Sequence, residues 1–115
     1  MVPYMLPIPQ LEYLDKDGRS PFGLWRAELD VVARAKVTTA LRRLAYGNVS
    51  NVKSVGEGVS ELKIDFGPGY RVYFGRDGLE LVILLAGGIK KRQQRDIVDA
   101  RERWSDYKRR KGQDR

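Results

Sequence analysis

The sequence predicts an α+β fold, in which a strand and two helices precede a small antiparallel sheet of three meandering strands and a last helix. Three observations predict it. Apolar residues recur at helical spacing early in the chain, alternate with polar residues after the stretch GNVSNVKSVGEG, and return to helical spacing near the C-terminus. At 115 residues the chain can bury one core and is too short for two, so residues 1–115 are expected to form one domain.

The first elements are a strand and a helix. Residues 10–14 are the strand candidate, and a turn follows at residues 15–18. Ser20 and Pro21 predict a helix start, because a serine hydroxyl caps free amides and proline lacks only an amide that would be unpaired there. Helical spacing places three apolar side chains in the core: Phe22, Trp25 and Leu29.

The second helix is predicted to begin after Asp30, a capping residue, and to end at Gly47. Its apolar face consists of Ala33, Val37, Ala40, Leu41 and Leu44. The basic side chains of its other face are expected in solvent: Arg34, Lys36, Arg42 and Arg43.

The alternating segment predicts a hairpin around Gly67-Pro68-Gly69. Its core face consists of Leu62, Ile64, Phe66, Tyr70, Val72 and Phe74. If the loop closes symmetrically, Phe66 faces Tyr70, Asp65 faces Arg71, and Lys63 faces Tyr73. Arg71 then lies on the opposite, solvated face. Two roles remain open for it: an ion pair with Asp65, or the binding of an anionic ligand.

The last strand, LELVILLA, is almost wholly apolar, which is typical of the middle of a sheet. Gly87 and Gly88 follow as a turn or a place of close approach for a ligand. The last helix buries Ile97, Ala100, Trp104 and Tyr107, and residues 108–115 are expected to form a frayed basic tail.

Charge is concentrated at the C-terminal end. The net charge is +7; residues 1–88 carry 11 basic and 10 acidic side chains, whereas residues 89–115 carry 11 and 5. Such a field attracts polyanions, with nucleic acid as the first candidate and acidic proteins or anionic membranes as alternatives. Cations before the last helix oppose its dipole, so a bound phosphate explains them better than local stability does.

Histidine and cysteine are both absent. This removes the usual acid/base near neutral pH, disulfides and the commonest metal ligands, so we expect no metal and no cofactor. The longest apolar run is too short to cross a bilayer, and residues 1–10 lack the basic start of a signal peptide. A cytoplasmic protein without membrane attachment is therefore expected.

Three stretches carry a resemblance to a known family: DGRSPFGLW, VKSVGEGVSELKIDFGPGYRVYF and LLAGGIKKRQQRDI. Over about residues 10–107 the chain resembles the RelE/HigB-type toxins of type II toxin-antitoxin systems, in particular the addiction-module killer proteins of the RelE/ParE superfamily. The resemblance implies a RelE-like domain acting as a ribosome-dependent mRNA endonuclease (mRNA interferase) that inhibits translation. It also implies a cognate antitoxin, often a helix-turn-helix protein, and mRNA on the ribosome as partners.

In this chemistry the ribose 2'-hydroxyl attacks the adjacent phosphodiester, which needs a base, positive charge and an acid. The resemblance assigns a phosphate contact to Arg71 and the role of candidate base to Lys63. It assigns charge stabilisation or proton donation to Lys90 and Lys91. The further RNA-binding candidates are Lys53, Tyr73, Arg92 and Arg95.

Two positions depart from the family pattern. The subgroup commonly reads Gly-Gly-Asp-Lys where this chain has Ile89, and a tyrosine used by some RelE-type toxins falls on Ile97; Tyr73 is the alternative candidate. Two other functions therefore stay open. One is a ParE-like inhibitor of DNA gyrase, which needs no phosphate-cleaving cluster, and the other is a catalytically degenerate protein that binds RNA or an antitoxin.

Overall fold

The sheet of this protein has five strands, with one face under two helices and the other under a third. The computed structural model describes residues 6–79 and 81–113. Its elements are β1 (Gln10–Glu12), α1 (Pro21–Ala27), α2 (Val31–Ala45), β2 (Val52–Ser54), β3 (Val59–Ile64), β4 (Tyr70–Asp77), β5 (Leu81–Ile89), a 3-10 turn (Lys90–Arg92) and α3 (Gln93–Gln113).

The strand order is β1-β5-β4-β3-β2. This confirms the α+β fold, with two differences from the predicted sheet. β1 pairs parallel to β5, Gln10 lying opposite Val82, so the sheet is mixed and not wholly antiparallel. β2 was not predicted, because three residues in a stretch rich in glycine and asparagine are too short to show a period of two.

Both predicted helix starts are confirmed. The Ser20 hydroxyl accepts a hydrogen bond from the Gly23 amide at 2.8 Å, and the Asp30 carboxylate accepts one from the Ala33 amide at the same distance. Each bond satisfies an amide that the first turn of a helix leaves free. The caps therefore define where α1 and α2 begin.

The two faces of the sheet contribute to two separate cores. The first core contains α1, α2 and the predicted hairpin face, including Phe22, Val37, Leu62 and Val72. The second lies beneath α3 and contains Val59, Tyr73, Ile83, Leu85, Ile97 and Trp104. The prediction that the opposite face of the hairpin is solvated is therefore wrong, because the apolar face of α3 covers it.

Gly87 and Gly88 lie inside β5 and not in a turn. A Cβ atom on Gly87 would overlap the Trp25 ring, and one on Gly88 would overlap the Asp96 carboxylate. Both glycines therefore admit side chains of neighbouring helices against the strand, which differs from the predicted turn or ligand approach.

α3 continues to Gln113, so residues 108–113 are not the predicted frayed tail; residues 114 and 115 lie outside the described residues. The Arg110 guanidinium donates a hydrogen bond to the carbonyl of Leu14 at 2.7 Å and pairs with Asp106. Lys111 pairs with Asp77. These contacts tie the last turns of the helix to the rest of the domain.

Gly75→Ala should lower the free energy of unfolding by about 1–3 kcal/mol, because the added methyl group would overlap the ring of Trp104 within the second core. The matched control is Gly112→Ala, at a position in α3 where a Cβ meets nothing within 4 Å. The control should be neutral or add up to about 1 kcal/mol through helix propensity. Urea unfolding of both variants measures the difference, and equal stabilities would contradict the packing described.

Candidate functional site

The hairpin register places Lys63 opposite Arg71 and Glu61 opposite Tyr73. The predicted partner, Asp65, lies instead in the connecting loop, because Ile64 and Tyr70 form the last pair and five residues make the reversal. Gly67 and Gly69 have φ of 54° and 79° in this loop, a region that favours glycine. The observed register differs from the predicted one by two residues, which keeps each residue on its predicted face but changes its partner.

Arg71 is buried, with 5% of its surface exposed, and its partner Glu61 is 1% exposed. The guanidinium Nε lies 3.2 Å from Oε1 of Glu61, and Nη1 donates to the carbonyl of Gly69 at 3.0 Å. The predicted pair with Asp65 on a solvated face is therefore wrong. The sheet face that carries Arg71 is covered, and the cation is paired within it.

Gln93, the first residue of α3, completes this network. Its side-chain amide donates to both carboxylate oxygens of Glu61, at 3.1 Å to Oε1 and 2.8 Å to Oε2. Neither Glu61 nor Gln93 was singled out from the sequence. The signal for Glu61 was available, since the period of two places it on the face of Lys63, Arg71 and Tyr73. For Gln93 no local signal exists.

A groove beside this network brings together three of the predicted site residues. We call it the strand groove; its volume is about 330 Å³, and it is lined by Ser50, Asn51, Val52, Lys53, Glu61, Lys63 and Arg71. Lys53 lies opposite Glu61 across β2 and β3. Lys53 and Lys63 are exposed, whereas Arg71 and Glu61 form the buried side of the groove. The strand groove thus combines two exposed ammonium groups with one buried guanidinium that is fixed by hydrogen bonds.

Four further predicted residues form a second hollow at the start of α3. We call it the cationic turn; its volume is about 460 Å³, and it is lined by Lys90, Lys91, Arg92, Gln93, Gln94 and Arg95. Its four cations are exposed. Within residues 6–79 and 81–113, none of them forms an ion pair with a carboxylate. The cationic turn is therefore a concentration of exposed positive charge without a close ion pair in the described part of the protein.

The carbonyl of Gly69 links a residue of the strand groove to a residue of the cationic turn. This oxygen accepts hydrogen bonds from the Lys90 amide at 2.8 Å and from Arg71 at 3.0 Å. Arg71 also lies opposite Gly88, two residues before Lys90. The hairpin loop thereby positions the buried guanidinium close to Lys90, the first residue of the cationic turn.

Tyr73 differs from the other predicted residues because its side chain exposes no surface. Burial raises the pKa of its hydroxyl, and the negative charges of Glu61 and Asp96 raise that pKa further. Its hydroxyl has no hydrogen-bond partner among the described residues. In this structure RNA has no access to the ring, contrary to the predicted contact.

The two positions that depart from the family pattern both contribute to cores. Ile97 is a buried residue of α3 in the second core, and Ile89 packs against the first core. Neither side chain supplies a polar group to the strand groove or to the cationic turn. The ionisable side chains that line the two hollows are lysines, arginines and Glu61.

The described residues contain no group of three or more acidic side chains that could hold a metal ion. Among the helices of this described part, none is long and apolar enough to cross a membrane.

Comparison with known proteins gives two findings. Residues 25–105 match the sequence model of a family described as phage derived protein Gp49-like. The chain is also 44% identical over 81 residues to an uncharacterized protein of Haemophilus influenzae, an alignment that covers 70% of this chain and 82% of the relative. The matched region contains both hollows and most of α3.

The burial of the Asp96 carboxyl should make the free energy of unfolding depend on pH. Burial raises the pKa of its carboxyl, an effect that Arg92 partly offsets. A raised pKa in the folded state contributes stability at low pH that is lost as pH rises through it. Asp96→Asn should therefore gain stability relative to the unchanged protein between about pH 3 and pH 7, as followed by urea unfolding at each pH.

Asp106→Asn is the control of opposite sign. Hydrogen bonds from Tyr13 and Arg110 lower the pKa of the Asp106 carboxyl, so its contribution is present at neutral pH and lost on acidification. This variant should lose stability relative to the unchanged protein as pH rises. Parallel pH curves for the two variants would contradict the burial of Asp96.

Proposed function

We propose that this chain is a toxin that cleaves mRNA on the ribosome. The chain belongs to the phage-derived Gp49-like family, which is a family of RelE/addiction-module-type toxins. Family membership is consistent with the toxin of a toxin-antitoxin pair and implies an antitoxin partner. The observation that carries the endonuclease proposal is the convergence of Lys53, Lys63 and Arg71 in the strand groove, with the exposed cations of the cationic turn joined to it through the Gly69 carbonyl.

The proposed reaction transfers a proton from the ribose 2'-hydroxyl to a base as the oxygen attacks the adjacent phosphorus. The bond from phosphorus to the 5'-oxygen breaks, an acid protonates that oxygen, and the products are a cyclic 2',3'-phosphate and a 5'-hydroxyl end. Lys63 is the candidate base because it is exposed directly opposite Arg71. Lys90 and Lys91 are candidates for proton donation or charge stabilisation.

Arg71 is proposed to hold the scissile phosphate. A guanidinium has five N–H donors, and the described contacts use one at Nε and one at Nη1. Nη2 therefore keeps its hydrogens for oxygens of a phosphate in the strand groove. Donors fixed before the substrate binds stabilise developing negative charge more effectively than donors that must reorganise.

The cationic turn is proposed to bind phosphates on either side of the cleaved bond through Arg92, Arg95 and the two lysines. We further propose that the antitoxin is a helix-turn-helix protein whose acidic surface covers these cations in the cytoplasm. Charge complementarity of this kind speeds association and blocks the RNA path. A small helix-turn-helix protein encoded in the adjacent reading frame is the expected genetic arrangement.

Lys63→Ala should lower the rate of mRNA cleavage on programmed ribosomes by about 100-fold or more, the usual range for removal of an acid or base. Lys63 is exposed, so the variant should keep its fold, whereas Arg71→Ala would leave Glu61 buried without its cation. The control is Lys16→Ala, which removes the same charge from an exposed turn. Primer extension maps the cuts, and growth after induction reports toxicity.

The same assay separates the other functions. Growth arrest with a DNA-damage response and intact mRNA would overturn the endonuclease and favour gyrase inhibition. Salt-dependent RNA binding without cuts at any concentration would indicate a protein that has lost catalysis. Equal cleavage by the Lys63 and Lys16 variants would exclude Lys63 as the base.

The double variant Arg92→Gln, Arg95→Gln should weaken binding to a short single-stranded RNA mainly at low salt. The affinity falls as salt rises, and each phosphate contact adds about 0.7 to the steepness of log affinity against log salt. Losing two contacts should therefore make the slope shallower by about 1.4. Fluorescence anisotropy across a salt series measures it. The control, Arg34→Gln with Arg42→Gln, changes the same charge on α2 and should leave the slope unchanged; an equal fall would indicate nonspecific attraction.

A further inference from the structure

Gln93 is the only described residue that donates a hydrogen bond to Oε2 of Glu61, and it also reaches Oε1. Arg71 approaches the same carboxylate from the sheet, through Nε to Oε1 alone. Glu61 is therefore held from two sides, by a strand and by the first residue of α3. Its second oxygen accepts a hydrogen bond from the helix, and no described hydrogen bond joins that oxygen to the guanidinium.

This arrangement is not the one that a free arginine and carboxylate prefer. Such pairs often form two parallel hydrogen bonds, one from Nε and one from Nη2, to the two oxygens. The terminal torsion of a glutamate rotates through a broad, roughly twofold profile, so the carboxylate can turn to make both bonds unless something holds it. In this structure, Gln93 donates to both carboxylate oxygens and holds the carboxylate in the orientation in which Arg71 bonds to Oε1 alone.

We propose that Gln93 is a positioning residue that acts through Glu61 to keep Nη2 of Arg71 available for a phosphate. This rests on the proposed function only in taking the strand groove as the phosphate site. With Gln93 present, Glu61 fixes the guanidinium by one oxygen and leaves its outer donors for the ligand. Without Gln93, Glu61 pairs with both Nε and Nη2, and the phosphate must compete with a buried carboxylate.

The position of Gln93 links the two hollows. Its side chain lies between the exposed cations of the turn and the buried pair of the groove, so it also lines the cationic turn. The start of α3 must therefore be in place for Arg71 to be available. A partner that displaces this start would remove the phosphate site without touching Arg71.

The test is a pair of variants that separate positioning from folding. Gln93→Ala should weaken inorganic phosphate binding at Arg71 by about tenfold to a hundredfold, the worth of one hydrogen bond to a charged group. Adding Glu61→Gln should restore most of that loss, because an amide has one acceptor oxygen and cannot form the double pair. Gln113→Ala, at the exposed end of α3, is the matched control and should change nothing.

NMR of the Arg71 Nε–H signal during a phosphate titration is the readout, and it does not require cleavage. If the protein does not cut mRNA but Gln93→Ala loses phosphate affinity and Glu61→Gln restores it, the positioning role is supported and the endonuclease proposal is rejected. Unchanged phosphate affinity in Gln93→Ala, or a loss that Glu61→Gln leaves in place, would overturn the positioning role. Gln93→Asn, which keeps an amide but shortens its reach, should reproduce the Gln93→Ala loss and serves if that variant does not fold.

Discussion

The buried pair of Arg71 and Glu61 is the interaction on which the candidate site depends. Two charges out of water need close mutual contact and further hydrogen bonds, and loss of one partner costs about 3–5 kcal/mol. Here the loop supplies the carbonyl of Gly69 and the helix supplies Gln93. Three separate parts of the chain therefore meet at one ion pair, and the exposed cations are arranged around it.

That pair is buried because α3 lies across the sheet, and contacts far from the site hold α3 in place. The Trp104 ring fills the space above Gly75. Toward the end of the helix, Tyr13 donates a hydrogen bond to Asp106 and Tyr107 donates one to Asp77, each at 2.7 Å. The start of the helix, with Gln93 and the cationic turn, is thus positioned by packing several turns away.

Local patterns predicted much of this fold. The caps at Ser20 and Asp30 depend only on neighbouring residues, and the core face of the hairpin depends only on a period of two. The register of that hairpin was harder to predict, because a shift of two residues preserves every face and alters every partner. The burial of Arg71 could not be predicted from the local sequence either. The alternation of polar and apolar residues shows that a strand has two faces but not which element packs on each face.

The sequence by itself determined the helices, the three long strands, the direction in which Arg71 points and the basic character of the C-terminal region. These follow from spacing and composition within short stretches. The tertiary structure alone decided that Arg71 pairs with Glu61, that Gln93 holds that carboxylate, and that Tyr73 is buried. Glu61 and Arg71 are 10 residues apart and become neighbours through the register of β3 and β4, whereas Gln93, 32 residues from Glu61, reaches it only because α3 packs on the sheet.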